Sequence, residues 1–249
     1  VINAELAKLN TFNLKNRFSE NDHLIVCISW TYGSGGVNIG FKLADKLKIN
    51  FYDAEIFEAV LKRLEAQKDS IQDSVSYGIK PGIKKEPAHD QDANVNPSEA
   101  FIPERHLTLR QRMREFSRFH GLPKRDAVFF NESDLLVDMA KKEDFVILGR
   151  CGDAIMANNN IPHISIYITA PFEQRIKRAM EIDSSLTVKQ ARHMLKHLDH
   201  VHSQYYHYYT NRNWGHSNNY DLCINSASYG IDGTVDFIYR MITAREEDK

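Results

Sequence analysis

The stretch that decides the fold is "WTYGSGGVNIG", residues Trp30 to Gly40. It follows "HLIVCISW" (23–30), a short apolar run typical of a buried strand, and leads into "NIGFKLADKLK" (38–48), whose apolar residues have helical spacing. Glycines in such a turn let the backbone aim successive N–H groups at a phosphate, and the start of the helix adds positive potential. The stretch predicts a phosphate-binding loop; the alternative is a glycine-rich turn that binds nothing.

The loop lacks the side chains that a typical phosphate-binding loop uses. Where such a loop has a lysine and then a hydroxyl residue, this chain has Gly36 and Val37. Lys42 cannot replace the lysine, because it lies on the helix beyond the loop. The predicted phosphate ligands are therefore the backbone amides of Gly33, Ser34, Gly35, Gly36, Val37 and Asn38.

The rest of the chain alternates strand and helix patterns. Further apolar strand patterns are "INFYD" (49–53), "DFVILGR" (144–150), "HISIYIT" (163–169) and "YDLCINS" (220–226). Thr187 and Gln190 predict a capping box for a helix over 188–209, and a closing helix is predicted from residue 233. Apolar strands alternating with helices predict a parallel sheet covered on both faces, with ligands beyond the carboxyl ends of its strands.

Composition narrows the class of protein. The 249 residues are 42% hydrophobic and 26% charged, values typical of a globular protein, and the formal net charge is −1. Neither nucleic acid nor an acidic membrane is an expected partner, because no global field would recruit them. Cys27, Cys151 and Cys223 lie far apart in the sequence and are predicted to be reduced core thiols, which favours the cytoplasm.

Several segments together resemble the cytidylate kinase-like family of P-loop nucleoside monophosphate kinases. The matching segments, in family order, are "YGSGGVNIGFKLADKL", "FYDAEIF", "FVILGRCGDAIM", "IYITAPFEQRIKRAME" and the region from "LDHVHSQYYHYYT" through "YDLCINS". The resemblance implies an α/β, three-layer P-loop NTPase fold with a parallel five-stranded sheet, a monophosphate-binding insertion and a helical lid.

The implied domain boundaries follow from these segments. Residues 1–22 form a leader, and 23–53 with 126–245 form the kinase core, with the lid at about 172–216. Residues 54–125 form the monophosphate-binding insertion, with a flexible loop at about 70–103. Within the insertion, Arg110, Arg114 and Arg118 form a basic stripe, which fits a solvated helix face better than an acceptor-phosphate role.

The resemblance also implies the catalytic side chains. Arg150 corresponds to an arginine that faces the acceptor monophosphate, and Arg175 and Arg178 lie one turn apart on the helix that enters the lid. His202 stands at a lid position where the family carries a cation, and it can replace that charge only below its ordinary pKa of about 6.5. The alternative for Arg175 and Arg178 is a solvated helix face.

Further residues are implied to bind the two nucleotides. Asp53 and Asp199 correspond to acids at the acceptor site, and Asn225 and Ser226 lie where the donor base rests. Asp53 has an alternative role as the cap of the following helix.

The chain also departs from the family. Close members carry "SRQYGSGGR", with arginines at the positions of Trp30 and Val37. Phosphoryl transfer depends on positioning and charge neutralisation, so the loss of several cations should impair chemistry more than folding. ATP is the expected cofactor, whereas Mg²⁺ is weakly supported because the loop hydroxyl is absent.

Two functions remain open at the level of the sequence. The first is ATP-dependent phosphoryl transfer to a nucleoside monophosphate, with the two nucleotides as partners and a homodimer compatible with the sequence. The second is a catalytically weak or inactive nucleotide-binding protein that acts as a sensor or partner-binding module. A zinc site at His193, His197 and His200 is a weaker alternative, because no acid or cysteine completes it, and no metal site is predicted.

Overall fold

The apolar runs form a five-stranded parallel sheet in a computed structural model that describes residues 17–53 and 124–243. The strand order is β2-β3-β1-β4-β5, which places the strand before the glycine loop at the centre and confirms the predicted sheet. The strands are β1 (Ile25–Trp30), β2 (Asn50–Asp53), β3 (Phe145–Leu148), β4 (Ile164–Thr169) and β5 (Leu222–Asn225).

Helices flank this sheet. They are α1 (Gly36–Leu47), α2 (Lys124–Ala140), α3 (Gly152–Asn158), α4 (Phe172–Ile182), α5 (Val188–Thr210) and α6 (Ser226–Thr243), with a short 3₁₀ turn at Ser217–Asn219. The predicted capping box is present, because Thr187 and Gln190 each bond the other's backbone N–H at the start of α5. The closing helix begins earlier than predicted, at Ser226, and is interrupted at Gly230, where φ is 69°.

Alternate side chains of β1 pack into two apolar layers, one on each face of the sheet, as expected for a strand buried on both faces. Val26, Ile28 and Trp30 pack with α1 and α6, whereas Ile25 and Cys27 pack with α2 and α3. The result is a three-layer α/β arrangement.

The prediction of core thiols holds for Cys27 and Cys151, which are buried, but is wrong for Cys223. Cys223 is exposed because β5 lies at the edge of the sheet. Its apolar neighbours in sequence include Ile224, whose side chain is buried on the opposite face of the strand.

The strand register brings the predicted site residues to one edge of the sheet. Asp53 lies level with Leu148, immediately before Gly149 and Arg150, and Trp30 lies level with Ile168. Because all strands run parallel, the segments that follow them open on the same side.

Some predictions fall on residues that the structure does not describe. Of the insertion predicted at 54–125, residues 54–123 lie outside the described residues, with the flexible loop and the stripe of Arg110, Arg114 and Arg118, as do residues 1–16 of the leader. Within the described ranges, no helix combines the length and apolarity needed to cross a membrane.

We expect Gly36→Ala to destabilise the ligand-free protein. A Cβ atom at residue 36 would lie 2.3 Å from Cγ of Trp30, so the largest fully buried side chain would have to shift, at a cost of about 1–3 kcal/mol. Gly233→Ala is the matched control, because its Cβ meets only an ordinary contact at 3.4 Å and should stabilise α6 by up to about 1 kcal/mol. Urea denaturation measures both, and equal stability of Gly36→Ala and the wild type would contradict the packing described here.

Candidate active site

The glycine loop turns sharply between β1 and α1. Gly33 and Gly35 have φ of 77° and 81°, a left-handed conformation that strains other residues. Inside the turn, Ser34 N donates to the carbonyl of Thr31 at 3.1 Å. The amides of Gly36, Val37 and Asn38 open α1, where N–H groups have no partner within the helix. The loop therefore presents backbone donors together with the positive end of a helix dipole, the arrangement that binds phosphate.

Buried hydroxyl groups fasten the loop to the sheet. Ser34 Oγ lies 3.3 Å from the carbonyl oxygen of Ile168, to which it donates. Ser226 Oγ donates to the carbonyl of Ser34 at 2.6 Å and lies 3.2 Å from that of Thr169. Ser226, predicted at the donor base, thus supports the loop directly. Asn225 accepts from Ala227 N through Oδ1 at 3.1 Å, and a contact of either residue with a base stays a prediction.

The peptide groups flanking Tyr32 bind the two lid helices. Tyr32 N donates to Asp199 Oδ1 of α5 at 3.2 Å, and Arg175 Nη1 of α4 donates to the Tyr32 carbonyl at 3.1 Å. Arg175 and Asp199 complete a triangle with a 2.7 Å ion pair. Burial raises the pKa of Asp199, and the charge of Arg175 opposes that shift. Arg175 is buried, so the alternative of a solvated face is wrong for this residue.

Arg178, also on α4, lies beside the glycine loop. A Cβ atom at residue 35 would lie 3.2 Å from both Cζ and Nη1 of Arg178, and 2.8 Å from Cδ1 of Ile231. The Arg178 guanidinium group and the Ile231 side chain therefore both lie next to Gly35, in the space that a side chain at residue 35 would occupy. Ile231 was not expected from the sequence, because it follows the break in α6 at Gly230.

Arg150 lies directly after β3 in a constrained backbone. Arg150 and Cys151 both have positive φ, 50° and 61°, so the chain turns abruptly at the edge of the sheet. The Arg150 side chain is largely buried, with its guanidinium carbon 4.9 Å from the centre of the Tyr205 ring. Burial raises the pKa of Tyr205, and the positive charge of Arg150 lowers it. Asp53, at the end of β2, lies at the same edge of the sheet.

Four aromatic side chains occupy the space between the loop and Arg150; we call Trp30, Tyr32, His202 and Trp214 the aromatic cluster. The His202 ring stacks on Trp214 at 5.4 Å and lies 5.7 Å from Trp30 and 5.1 Å from Tyr32. Burial, with a smaller contribution from the charge of Arg150, lowers the pKa of His202 to about 3. The expectation that His202 supplies a positive charge is therefore wrong, because its imidazole is neutral at physiological pH.

The cavity beside Arg150 is small in this conformation. Its volume is about 10 Å³, and its lining includes Trp30, Gly149, His202 and Trp214. That space suits about one water molecule rather than a phosphate group. Trp30 Nε1 and His202 Nδ1 are buried and have no hydrogen-bond partner among the described residues. A more open cleft of about 460 Å³ lies between α4 and α5, lined partly by Phe172, Lys196 and His200.

A buried polar network supports the site from behind. Tyr206 donates to Asp153 Oδ2 at 2.7 Å, and Tyr220 in turn bonds Tyr206 and Ser29. Burial raises the pKa of Asp153 and of both tyrosines, that of Tyr220 to about 12, so the hydroxyl groups stay protonated as donors. The "YYHYY" segment of the sequence did not by itself predict this network; a tyrosine on a buried helix face is the signal that predicts one.

The described residues do not form a good magnesium site. No group of three or more His, Cys, Asp or Glu residues that could hold a metal ion occurs within 17–53 and 124–243, and His193, His197 and His200 are no exception. Val37 is buried at the position where a phosphate-binding loop places its magnesium-binding hydroxyl. The donors around the loop fit phosphate oxygens and do not fit Mg²⁺.

The central β1, the glycine loop and the helix that follows it define a protein with the fold of the P-loop kinases. The model of the cytidylate kinase-like family matches residues 25–228, and the chain belongs to that family. None of the curated proteins compared with the chain matches it.

Three solved structures show different degrees of similarity to the chain. An uncharacterized protein from Eubacterium ventriosum is similar, with a TM-score of 0.58 and 23% identity over 89% of this chain and 99% of that one. A shikimate kinase from Bacteroides thetaiotaomicron matches at a TM-score of 0.45 and 12% identity, over 88% of this chain and 98% of that one. A gluconokinase from Sinorhizobium meliloti matches at a TM-score of 0.42 and 9% identity, over 92% of this chain and 98% of that one.

We expect His202 to make the folded protein sensitive to acid. Between pH 6.5 and pH 3 the unfolded chain binds a proton at residue 202 that the folded protein does not, so stability falls as the pH falls. From pH 7 to pH 5 the wild type should lose about 2 kcal/mol more stability than His202→Phe. Urea denaturation at the two pH values measures this difference.

His197→Phe is the control for this measurement, since it removes an exposed histidine from the same helix and should retain the wild-type pH dependence. Identical pH dependence in His202→Phe and the wild type would show that His202 is accessible to protons in the folded state.

Proposed function

We propose that this protein transfers the γ-phosphoryl group of ATP, held at the glycine loop, to a nucleoside monophosphate bound beside Arg150. The position of Arg178 carries this proposal, because its guanidinium group lies beside the backbone donors of a loop shaped for phosphate. The free thiols of Cys27, Cys151 and Cys223 support a cytoplasmic location, which is part of the same proposal.

The donor half of the site rests on backbone geometry. The amides of Gly36, Val37 and Asn38 are the phosphate donors, and Arg178 adds a positive charge at Gly35. Charge-assisted hydrogen bonds of this kind are about twice as strong as neutral ones. The donor base would lie near the end of β5, where Asn225 is the predicted contact.

The acceptor half rests on Arg150, with Asp53 and Asp199 as the predicted acids. In the reaction, an oxygen of the acceptor monophosphate forms a bond to the γ-phosphorus while the bond from that phosphorus to the bridging oxygen breaks, releasing ADP and a nucleoside diphosphate. Room for the acceptor requires the lid to open, because the cavity beside Arg150 has a volume of only about 10 Å³. Opening and closing of such lids is a usual part of kinase turnover.

We expect the protein to phosphorylate at least one nucleoside monophosphate at a rate well below that of cation-rich relatives, since single transition-state cations contribute about 10³–10⁵ in rate. A coupled assay of ADP release with a panel of monophosphates measures this. Gly35→Asp is the inactive control, because a side chain there meets Ile231 and Arg178 and adds negative charge to the loop. Turnover by the wild type that is no higher than that of Gly35→Asp would contradict the kinase proposal.

A second function is favoured by the aromatic cluster: nucleotide binding without useful transfer, as a sensor or partner-binding module. The neutral His202 and the buried Trp30 replace charge where a transition state needs it. Calorimetry distinguishes the two functions, because binding of ATP or a monophosphate without turnover supports the second and ordinary turnover rejects it.

We expect Arg150→Lys to weaken monophosphate binding at least tenfold. Lysine cannot reproduce a bidentate guanidinium contact, and the loss of a charge-assisted bond costs about 1.5–3 kcal/mol. Because lysine keeps the positive charge but loses the contact with the Tyr205 ring, the melting temperature of the ligand-free protein should fall only slightly. Thermal melts and monophosphate titrations of the two proteins decide between this and a structural role. A lower melting temperature with unchanged affinity would remove Arg150 from the acceptor site.

A further inference from the structure

We propose that the glycine loop binds the triphosphate of ATP without a magnesium ion, with Arg178 supplying the charge that the metal supplies elsewhere. The proposal rests on the proposed function, since it concerns the same donor site. It predicts that removal of Mg²⁺ leaves the affinity for ATP nearly unchanged.

The hydroxyl groups around the loop form hydrogen bonds within the protein. Ser34 Oγ donates to Ile168, Ser226 Oγ donates to Ser34, and the Thr31 and Thr169 hydroxyls lie 3.3 Å apart in a hydrogen bond. Ser34 is 3% exposed and Ser226 is 5% exposed, so neither oxygen reaches a metal bound outside the loop. Mg²⁺ at a phosphate site is usually held by one or two protein side chains together with substrate phosphates and water, and the loop side chains offer no such ligand.

The described carboxylates nearest the site are paired, buried or distant; Glu132, for example, is 3% exposed and lies in the interior near Cys151 and Tyr205. Asp199 is paired with Arg175 at 2.7 Å and accepts from Tyr32 N, and Asp153 accepts from Tyr206 in the interior. Asp53 ends β2, which is separated from β1 by β3 and so lies about 10 Å away. The strand beside β1 ends in Gly149 and Arg150, where a positive side chain would repel a metal ion.

Two elements next to the loop supply positive charge that can offset the negative charge of a triphosphate. Arg178 lies against Gly35, and the start of α1 contributes the positive end of its dipole. Ile231 lies beside the same residue, so an apolar group takes space that metal-bound water would require. A guanidinium group binds phosphate oxygens directly and bidentately, whereas Mg²⁺ retains several waters.

Isothermal titration calorimetry with ATP tests the proposal on the full chain, once with excess magnesium chloride and once with excess EDTA. We expect the two dissociation constants to agree within about fivefold. A larger loss of affinity in EDTA overturns the inference and leaves the proposed function intact. If a folded protein binds no ATP in either solution, the inference and the proposed function both fail.

Two arginine variants show where the charge comes from. Arg178→Gln should weaken ATP binding at least about tenfold in both solutions, because a charge-assisted contact is lost whether or not metal is present. Arg192→Gln is the matched control, since it removes the same charge from a site where the guanidinium pairs with Glu173 at 2.7 Å. Unchanged affinity in Arg178→Gln would overturn the role given to Arg178.

Discussion

The contact between Trp30 and Gly36 constrains the whole site. Because residue 36 has no side chain, the indole of Trp30 packs against its α-carbon and stays fully buried in the central strand. The same ring lies against Gly149 and beside His202, so one side chain connects the loop, the end of β3 and the lid. An apolar ring at this point keeps water away from His202 and thereby keeps it neutral.

The shape of the loop is held by contacts that do not depend on its own charge. The peptide groups flanking Tyr32 bind Asp199 and Arg175, and the Ser34 carbonyl accepts from Ser226. These partners come from α4, α5 and the start of α6, so three segments fix the turn from different directions. A loop held in this way keeps its row of amide donors after the loss of a lysine and a hydroxyl. A phosphate-binding loop shape is therefore compatible with the absence of the usual lysine and hydroxyl.

The sequence was a good guide where local rules decide the outcome. The apolar strands, their parallel arrangement, the glycine turn and the capping box of α5 follow from periodicity and turn chemistry, and the structure confirms them. Cys223 was misplaced because its exposure depends on which strand forms the sheet edge, a property of topology rather than of neighbouring residues.

The neutral state of His202 could not be predicted from the sequence either. It depends on burial among aromatic side chains that are far apart in the chain, such as Trp30 and Trp214. The position of Ile231 and the break at Gly230 could not be predicted from helix periodicity. The predicted helix began at residue 233, and its start gives no information on the turn that precedes it. The roles of Arg150, Asp53 and Asn225 toward ligands stay predictions.

In the proposed donor site, the positive side chains come from α4 rather than from the loop. Arg175 and Arg178 both lie on α4, and Arg175 is tied to α5 through Asp199. In a loop with its own lysine, the charge that holds phosphate is present whatever the lid does. Here the positive potential at Gly35 depends on where α4 lies, because Arg178 reaches the loop only from that helix. In the proposed mechanism, a movement of α4 that admits an acceptor would therefore also weaken the hold on the triphosphate.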